Sequence, residues 1–386
     1  MDKRVYLDNA ATTKVDDRVL EAMEPYFQEK YGNTMSLHSF GQEARIALDK
    51  SRETVADMIG SNSDEIIFTS SATESNNFVM KGIASANFDK GKHLIISSIE
   101  HPCIMESALW LERRGFEITR LKVDSLGRVN PENVREAIRE DTVLVSIIHA
   151  SNEIGTIQPI SEIGKICKEK GVYFHTDSTQ ILGKESIDVS NLNVDMLTAS
   201  AHKMYGPKGI GILFLKKGTK IDPLLHGGGQ ESDMRSSTIN LPLIVGFAKA
   251  CEISSTVMEK ENERIKTLRD KIIDEALKIK DTKLNGDPCN RLSNNINLRF
   301  DFIEGESLVI SLDMLGIATS TGSACSSNKL QPSHVLLAIG LKPQEAHGSL
   351  RISLGRWTTS KEVDYFLKNL PAAVEKLREI SPFGRR

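Results

Sequence analysis

Short apolar runs alternate with stretches of helical periodicity through the first half of the chain. Residues 66–68, 94–97, 116–121, 143–149 and 172–176 are apolar runs of strand length. Between them, 73–84, 103–114, 131–139 and 161–170 carry apolar positions at helical spacing. This strand–helix order predicts an α/β fold with an open, mostly parallel sheet and helices on both faces. Ahead of it, 16–30 and 41–59 follow helical periodicity, with Leu48, Val55 and Ile59 on one face, and 31–41 is irregular and polar. Residues 195–200 and 210–215 form a second kind of pair, two apolar strands joined by a Gly/Pro-rich turn. A helix over 244–279 is expected to bridge to a second domain, with strands at 294–300 and 317–319 and a closing helix at 361–380. The small polar stretch 320–333 reads as a loop, and 8–13 as a loop that folds back onto the rest. The expected division is a large domain over 15–260 and a smaller one from 1–14 and 261–386.

Composition narrows the class. The 386 residues include 49 Lys and Arg against 52 Asp and Glu, a net charge of -3, which gives no general attraction to nucleic acid or anionic membrane. No apolar stretch reads as a signal peptide or a membrane span, so a cytoplasmic protein is expected. Cys103, Cys167, Cys251, Cys289 and Cys325 form no C-x-x-C pair and are too sparse for a disulfide framework; no metal site is expected.

The polar residues that matter fall at strand ends, where open parallel sheets bind ligands. Thr69–Glu74, Ser98–Pro102, Ala150–Gly155, Asp177–Gln180 and Ser200–Lys203 each follow a predicted strand. Taken singly each has a bland explanation: Lys203 a surface lysine on a hairpin, Asp177 or Thr73 a cap, His101 a structural histidine before Pro102. Together they make a rim. A lysine beside an apolar strand end loses hydration of its ammonium and becomes a nucleophile able to form a Schiff base. Lys208, after Pro207 in the turn, is the other lysine there and is expected to face solvent. If Lys203 holds pyridoxal phosphate, Asp177 is the candidate carboxylate for the pyridine nitrogen. Ala72 and Thr73, opening a helix, offer N–H groups to the phosphate, and Ser200 and His202 add donors. Asn152 and Gln180 can reach the phenolic oxygen, and His101 can stack on the ring.

The segments LDNAATT, TSSATESNN, EHP, SNEIGTIQPI, HTDSTQILGK, SAHKMYGPKGIG, HGGGQE, TGSACSS and SLRISLGR, in this order, resemble cysteine desulfurases of the NifS/IscS type over nearly the whole chain. The resemblance implies a fold-type-I, aminotransferase-like pyridoxal-phosphate enzyme of the class-V family, a homodimer with a mostly parallel seven-stranded sheet and a smaller α+β domain. It assigns Lys203 to the Schiff base, Asp177 to the pyridinium, and His101 to stacking and proton handling. Asn152 and Gln180 go to the phenolic side, and Thr73, Ser200 and His202 to the phosphate. Thr238 matches a threonine that reaches the neighbouring subunit's phosphate, and Arg351 the arginine that pairs with the substrate carboxylate, with Asn152 beside it. Cys325 matches the loop cysteine that takes sulfur from L-cysteine, leaving L-alanine and a persulfide. The loop TGSAC ahead of PSHVL resembles the branch with the longer cysteine loop. Cys103 is a further thiol beside His101, at a position where the motif does not require cysteine.

The expected activity is therefore a sulfurtransferase that supplies sulfur to an acceptor protein, such as an iron–sulfur scaffold, or to tRNA thiolation. Neither direct nucleic-acid binding nor membrane attachment is expected. Alternatives are another pyridoxal-phosphate reaction, such as transamination or selenocysteine cleavage, or a non-catalytic iron–sulfur assembly partner. A transaminase has no use for a loop thiol, and the lysine and aspartate argue against an inert partner. The sequence departs from the family pattern at Ser71 and Ser237, where Gly is usual, at Ser151, where Asn is common, and at Thr34-Met35.

Overall fold

The computed structural model describes residues 4–322 and 332–381. Its centre is a seven-stranded sheet in the order Ile66–Thr69, Gly211–Leu215, Met196–Ser200, Tyr173–Asp177, Thr142–Ile148, His93–Ser97, Glu117–Leu121. Neighbouring strands pair in parallel except around Gly211–Leu215, which runs antiparallel to both of its partners. The predicted mostly parallel sheet is present, and the hairpin supplies its one reversed strand.

Apart from the edge strand Glu117–Leu121, the strands are buried on both faces, alternate side chains pointing opposite ways. Ile67, Leu94, Ile96, Leu144 and Leu213 pack with Phe78, Ile83, Ile104 and Ala108 of the helices Ala72–Ala86 and Pro102–Glu112. Phe68, Ile95, Val145, Phe174 and Ile212 pack on the other side with the helices Ser39–Ile59 and Ile160–Lys170 and the first half of Leu241–Ala276. Full burial of an Ile or Phe side chain contributes roughly 1.5–3 kcal/mol, so this two-sided layer dominates the stability of the sheet. Leu48, Val55 and Ile59 share the buried face expected of them.

A second core forms around the strands Thr282–Leu284, Asn295–Phe300 and Ser349–Ser353, an antiparallel sheet with Asn295–Phe300 in the middle. The helices Gly305–Asp313 and Ser360–Ile380 cover it, together with Val5 and Leu7 from the N-terminus. The 36-residue helix Leu241–Ala276 belongs to both cores: Ile244, Phe247 and Ile253 to the first, Ile265, Ile272 and Ile273 to the second.

Some elements go beyond the sequence expectation, and one expectation needs correction. The strand Ser349–Ser353 and the helix Gly305–Asp313 were not anticipated from periodicity. The long helix also contains a stretch apolar and long enough to cross a membrane, contrary to the sequence reading, but half of that stretch is buried inside the protein. The 320–333 loop, with Cys325, lies largely outside the described residues.

Candidate active site

The carboxyl ends of the central strands, the N-terminal segment and the strand Ser349–Ser353 enclose a cavity of about 320 Å³. Ala72, Thr73, His101, Asn152, Asp177, Gln180, Ser200, His202, Lys203 and Arg351 all line it. Residues drawn from positions 72 to 351 thus converge on one space. Thr238 is exposed and is not part of this lining, and Cys325 lies outside the described residues. Gly322, three residues before Cys325, is in the cavity wall.

Lys203 follows the strand Met196–Ser200 in a single 3₁₀ turn, Ala201–Lys203. Its Nζ donates to the carbonyls of Ala10 and Ala11, both at 2.7 Å. The N-terminal loop therefore does fold back, and what it meets is the lysine. Thr13 ties the same strip to the hairpin, donating its N–H and hydroxyl to the His202 carbonyl, each at 3.0 Å. Gln180 Nε2 donates to the Ala10 carbonyl at 3.0 Å. A second lysine, Lys184, is buried behind the first and donates to the carbonyls of Gln180 and Lys203. Burial, and then the charge of Lys203, lowers its pKa to about 7. Lys208 is exposed, as expected.

Asp177 ends the buried strand Tyr173–Asp177. Asn76 Nδ2 donates to its Oδ2 at 2.7 Å and the Thr179 N–H to its Oδ1 at 3.0 Å. The carboxylate is aimed from two sides, so it caps a turn and faces the cavity at once. Sequence reasoning missed Asn76. Its signal was a polar residue on the buried face of the helix Ala72–Ala86, next to Phe78 and Val79.

His101 caps the helix Pro102–Glu112: the Cys103 N–H donates to its Nδ1 at 3.3 Å, and the Cys103 Sγ lies 3.0 Å from the same nitrogen. Asn76 Nδ2 also reaches this sulfur, at 3.1 Å. Burial lowers the pKa of His101, the nearby Asp177 opposing it, and burial pushes the Cys103 thiol up to about 12. Cys103 is thus a neutral thiol at ordinary pH. His202, whose Nδ1 is 3.2 Å from Thr12 Oγ1, is lowered to about 4 by burial and by Lys203, Lys208 and Lys184. It is a neutral imidazole here, offering one N–H.

The helix Ala72–Ala86 points its N-terminus at the cavity through Ala72 and Thr73. Ser71, not Thr73, is its cap, accepting from the Glu74 N–H at 3.2 Å. Ser71 sits at φ -174, an extended conformation that serine adopts freely, so nothing there requires glycine. Ser151 accepts from the N–H groups of Glu153 and Ile154 and so closes its own turn. Ser237 is different: at φ 157 it occupies backbone space that favours glycine. Ser200 donates to the Ile210 carbonyl across the hairpin at 3.2 Å.

Arg351 is 3% exposed. Its Nη1 donates to the Asn152 carbonyl at 3.1 Å and its Nη2 to Asp8 Oδ1 at 2.8 Å. The main chain of Asn152 therefore helps to hold the arginine. Beyond the loop, Ser333 Oγ donates to Glu153 Oε2 at 2.5 Å and His334 Nε2 to the Glu100 carbonyl at 2.9 Å. Glu100 is pushed up to about 8 by burial.

These residues fit pyridoxal phosphate. A buried carboxylate, an amine, an imidazole and a helix N-terminus face one cavity. The Thr179 hydroxyl and Asn76 Oδ1, in residues lining that cavity, are buried without a hydrogen-bond partner among the described residues.

The aminotransferase class-V family matches residues 5–366. The chain is 52% identical over 380 residues to a cysteine desulfurase IscS of Methanosarcina thermophila, covering 98% of this chain and 94% of that one. It is also 52% identical over 384 residues to a cysteine desulfurase IscS of Dictyoglomus turgidum, covering 99% and 98%. Among solved structures, a NifS-like protein superposes with a TM-score of 0.92 at 40% identity, covering 97% of this chain and 100% of that one. A structure described as SspA in complex with cysteine gives 0.82 at 38% identity, covering 92% and 100%. Fold, cavity and relatives agree, and the chain belongs to the aminotransferase class-V family.

Proposed function

We propose that this protein is a pyridoxal-phosphate-dependent cysteine desulfurase that converts L-cysteine to L-alanine and leaves the sulfur as a persulfide on Cys325. The observation that carries this reading is the convergence of Lys203, Asp177, His101 and Arg351 on one cavity that Gly322, three residues before Cys325, also lines. Lys203 would hold the cofactor through its amine, Asp177 through the ring nitrogen, and Ala72, Thr73, Ser200 and His202 through the phosphate. His101 would lie against the ring and Asn152 and Gln180 on its phenolic side. When bound, the cofactor supplies the electron sink that labilises bonds at the substrate's α- and β-carbons.

The chain's own residues do the rest. Arg351 binds the substrate carboxylate, a task suited to a planar guanidinium. Lys203 moves the proton at the α-carbon, and neutral His101 is able to receive one. The Cys325 thiolate attacks the substrate sulfur: an S–S bond forms, the C–S bond breaks, and the β-carbon takes a proton to become the methyl group of alanine. Gly322 lines the cavity, and Cys325 follows it by three residues in the sequence.

The large domain is read as 15–260, and 1–14 with 261–386 as the small domain; the sharing of Leu241–Ala276 between two cores and the packing of Val5 and Leu7 in the second support this. The active form is read as a homodimer. Phe27, Tyr31, Met35, Leu37, Phe40 and Ile46 are exposed apolar residues in one stretch, which a second subunit would cover. Thr238, exposed and outside its own cavity, then reaches the partner's phosphate. The reaction takes place in the cytoplasm, and the persulfide passes to an acceptor protein such as an iron–sulfur scaffold, or toward tRNA thiolation.

The test is the release of alanine and sulfide from L-cysteine with a reductant, comparing wild type with Cys325→Ala. Equal amounts of the two products from wild type, and a loss of roughly hundredfold or more in the variant, are expected for removal of a nucleophile. A wild-type protein that binds the cofactor and releases neither product would end the desulfurase reading.

A further inference from the structure

Arg351 presents five N–H donors, and the structure uses them unevenly. Nη1 donates to the carbonyls of Asn152 and Gly322, at 3.1 and 3.4 Å, and Nη2 to Asp8 Oδ1 at 2.8 Å. Nε is buried and has no hydrogen-bond partner among the described residues. A guanidinium at this depth needs an anion, because an uncompensated buried charge is costly. Asp8 supplies that anion from inside the chain, 343 residues away in sequence.

The position of Asp8 is set by main-chain contacts. Its backbone bridges to Ser353, next but one to Arg351 on the same strand, and its carbonyl accepts from the Ala11 N–H and the Tyr6 hydroxyl, both at 3.1 Å. Arg351 lines the cavity, while Asp8 does not. The arginine that holds Asp8 thus also lines the cavity, where a ligand carboxylate would address the same cation.

We infer that Asp8 is an internal stand-in for the substrate's carboxylate, which pairs with Arg351 when no substrate is bound and competes with the substrate for it. The identity of that substrate as an amino acid rests on the desulfurase reading; the competition does not. It makes Asp8 a determinant of specificity. A ligand carboxylate must draw the guanidinium away from an existing partner, so weakly placed carboxylates are rejected, while a ligand without a carboxylate leaves the Asp8–Arg351 pair undisturbed.

The experiment is a calorimetric titration of the holoenzyme with 3-mercaptopropionate, which has the carboxylate and thiol but no amine, and with its neutral amide. Asp8→Asn keeps the shape and an oxygen for Nη2 but removes the charge. The acid should bind this variant about fivefold more tightly or better, the scale of a modest coupling between two ligands of one group, while the amide binds both proteins alike. The KM for L-cysteine should fall, with the larger change in KM and not in kcat. Asp8→Ser, also neutral, should repeat the tightening, which guards against a folding defect peculiar to one variant. Cofactor absorbance and melting temperature confirm that each variant is intact. Acid binding that is unchanged or weaker in both intact variants overturns the inference and leaves Asp8 as a residue that only positions Arg351. A protein that makes no alanine from L-cysteine would end the desulfurase reading while leaving the acid comparison to stand or fall by itself.

Discussion

The two walls of the cavity hold their polar groups by different means. On the sheet side, Asp177 is fixed by an amide and a main-chain N–H, His101 and His202 are neutral, and Cys103 is a neutral thiol. On the other side, Arg351 is held by an opposite charge and by carbonyls. Hydrogen bonds from neutral donors are fixed by packing and survive the arrival of a ligand. An ion pair is an exchange site, because any better-placed anion can replace one partner. The sheet wall is therefore suited to a resident group that stays, and the opposite wall to a substrate that comes and goes.

The largest effect should come from the sheet wall. Asp177→Asn removes the negative charge of that wall while keeping the shape, and turnover of L-cysteine should fall by roughly hundredfold or more. Cofactor affinity, read from absorbance titration, should fall with it. A variant with near wild-type turnover would mean that the wall does not depend on this carboxylate. Arg351→Lys keeps the charge of the opposite wall and loses the planar fork. The expected result is a KM for L-cysteine raised by roughly tenfold, with a smaller change in kcat. A dominant loss of kcat instead would break the contrast, since it would give Arg351 a part in the chemistry.

The smallest effect concerns stability and the neutrality of the sheet wall. His149, His175 and His202 are each lowered to about 4, burial being the first cause in all three. Their unfolded value is about 6.5, so between pH 4 and 6.5 the unfolded chain binds more protons and stability rises with pH. Glu100, raised by burial to about 8, acts oppositely from about pH 4.5 upward, and one carboxyl offsets one histidine. The net slope between pH 4.5 and 6.5 should be on the order of 2 kcal/mol per pH unit. A melting temperature that is flat over this window would show that these histidines are not held neutral in the fold.

The sheet wall was legible in the sequence because its residues sit at the ends of strands that announce themselves locally. Asp177 follows an apolar run, Lys203 ends another, and Thr73 opens a helix with an apolar face. Periodicity reports on neighbours within a turn or a pleat, and these assignments need nothing more. The opposite wall was not legible that way. The strand holding Arg351 is recognised by its pairing with Asn295–Phe300, and Arg351 finds Asp8 only after the N-terminus crosses the molecule. The resemblance named Arg351 but offered no partner for it. Asn76 was missed for a related reason: a polar residue on a helix is assigned to solvent until the strand it faces is known. Ser71 and Ser151 show the reverse, where local turn chemistry explains each departure once the backbone angle or the hydrogen bonds are seen.

The helix Leu241–Ala276 spans about 54 Å at 1.5 Å per residue. Unfolding either core strips the apolar partners from half of it, and a helix that loses its packing has little stability of its own. The loss is passed along the same rod to the other core. Two architectural units thereby share one cooperative unfolding unit, and calorimetry should see a single transition where the architecture suggests two.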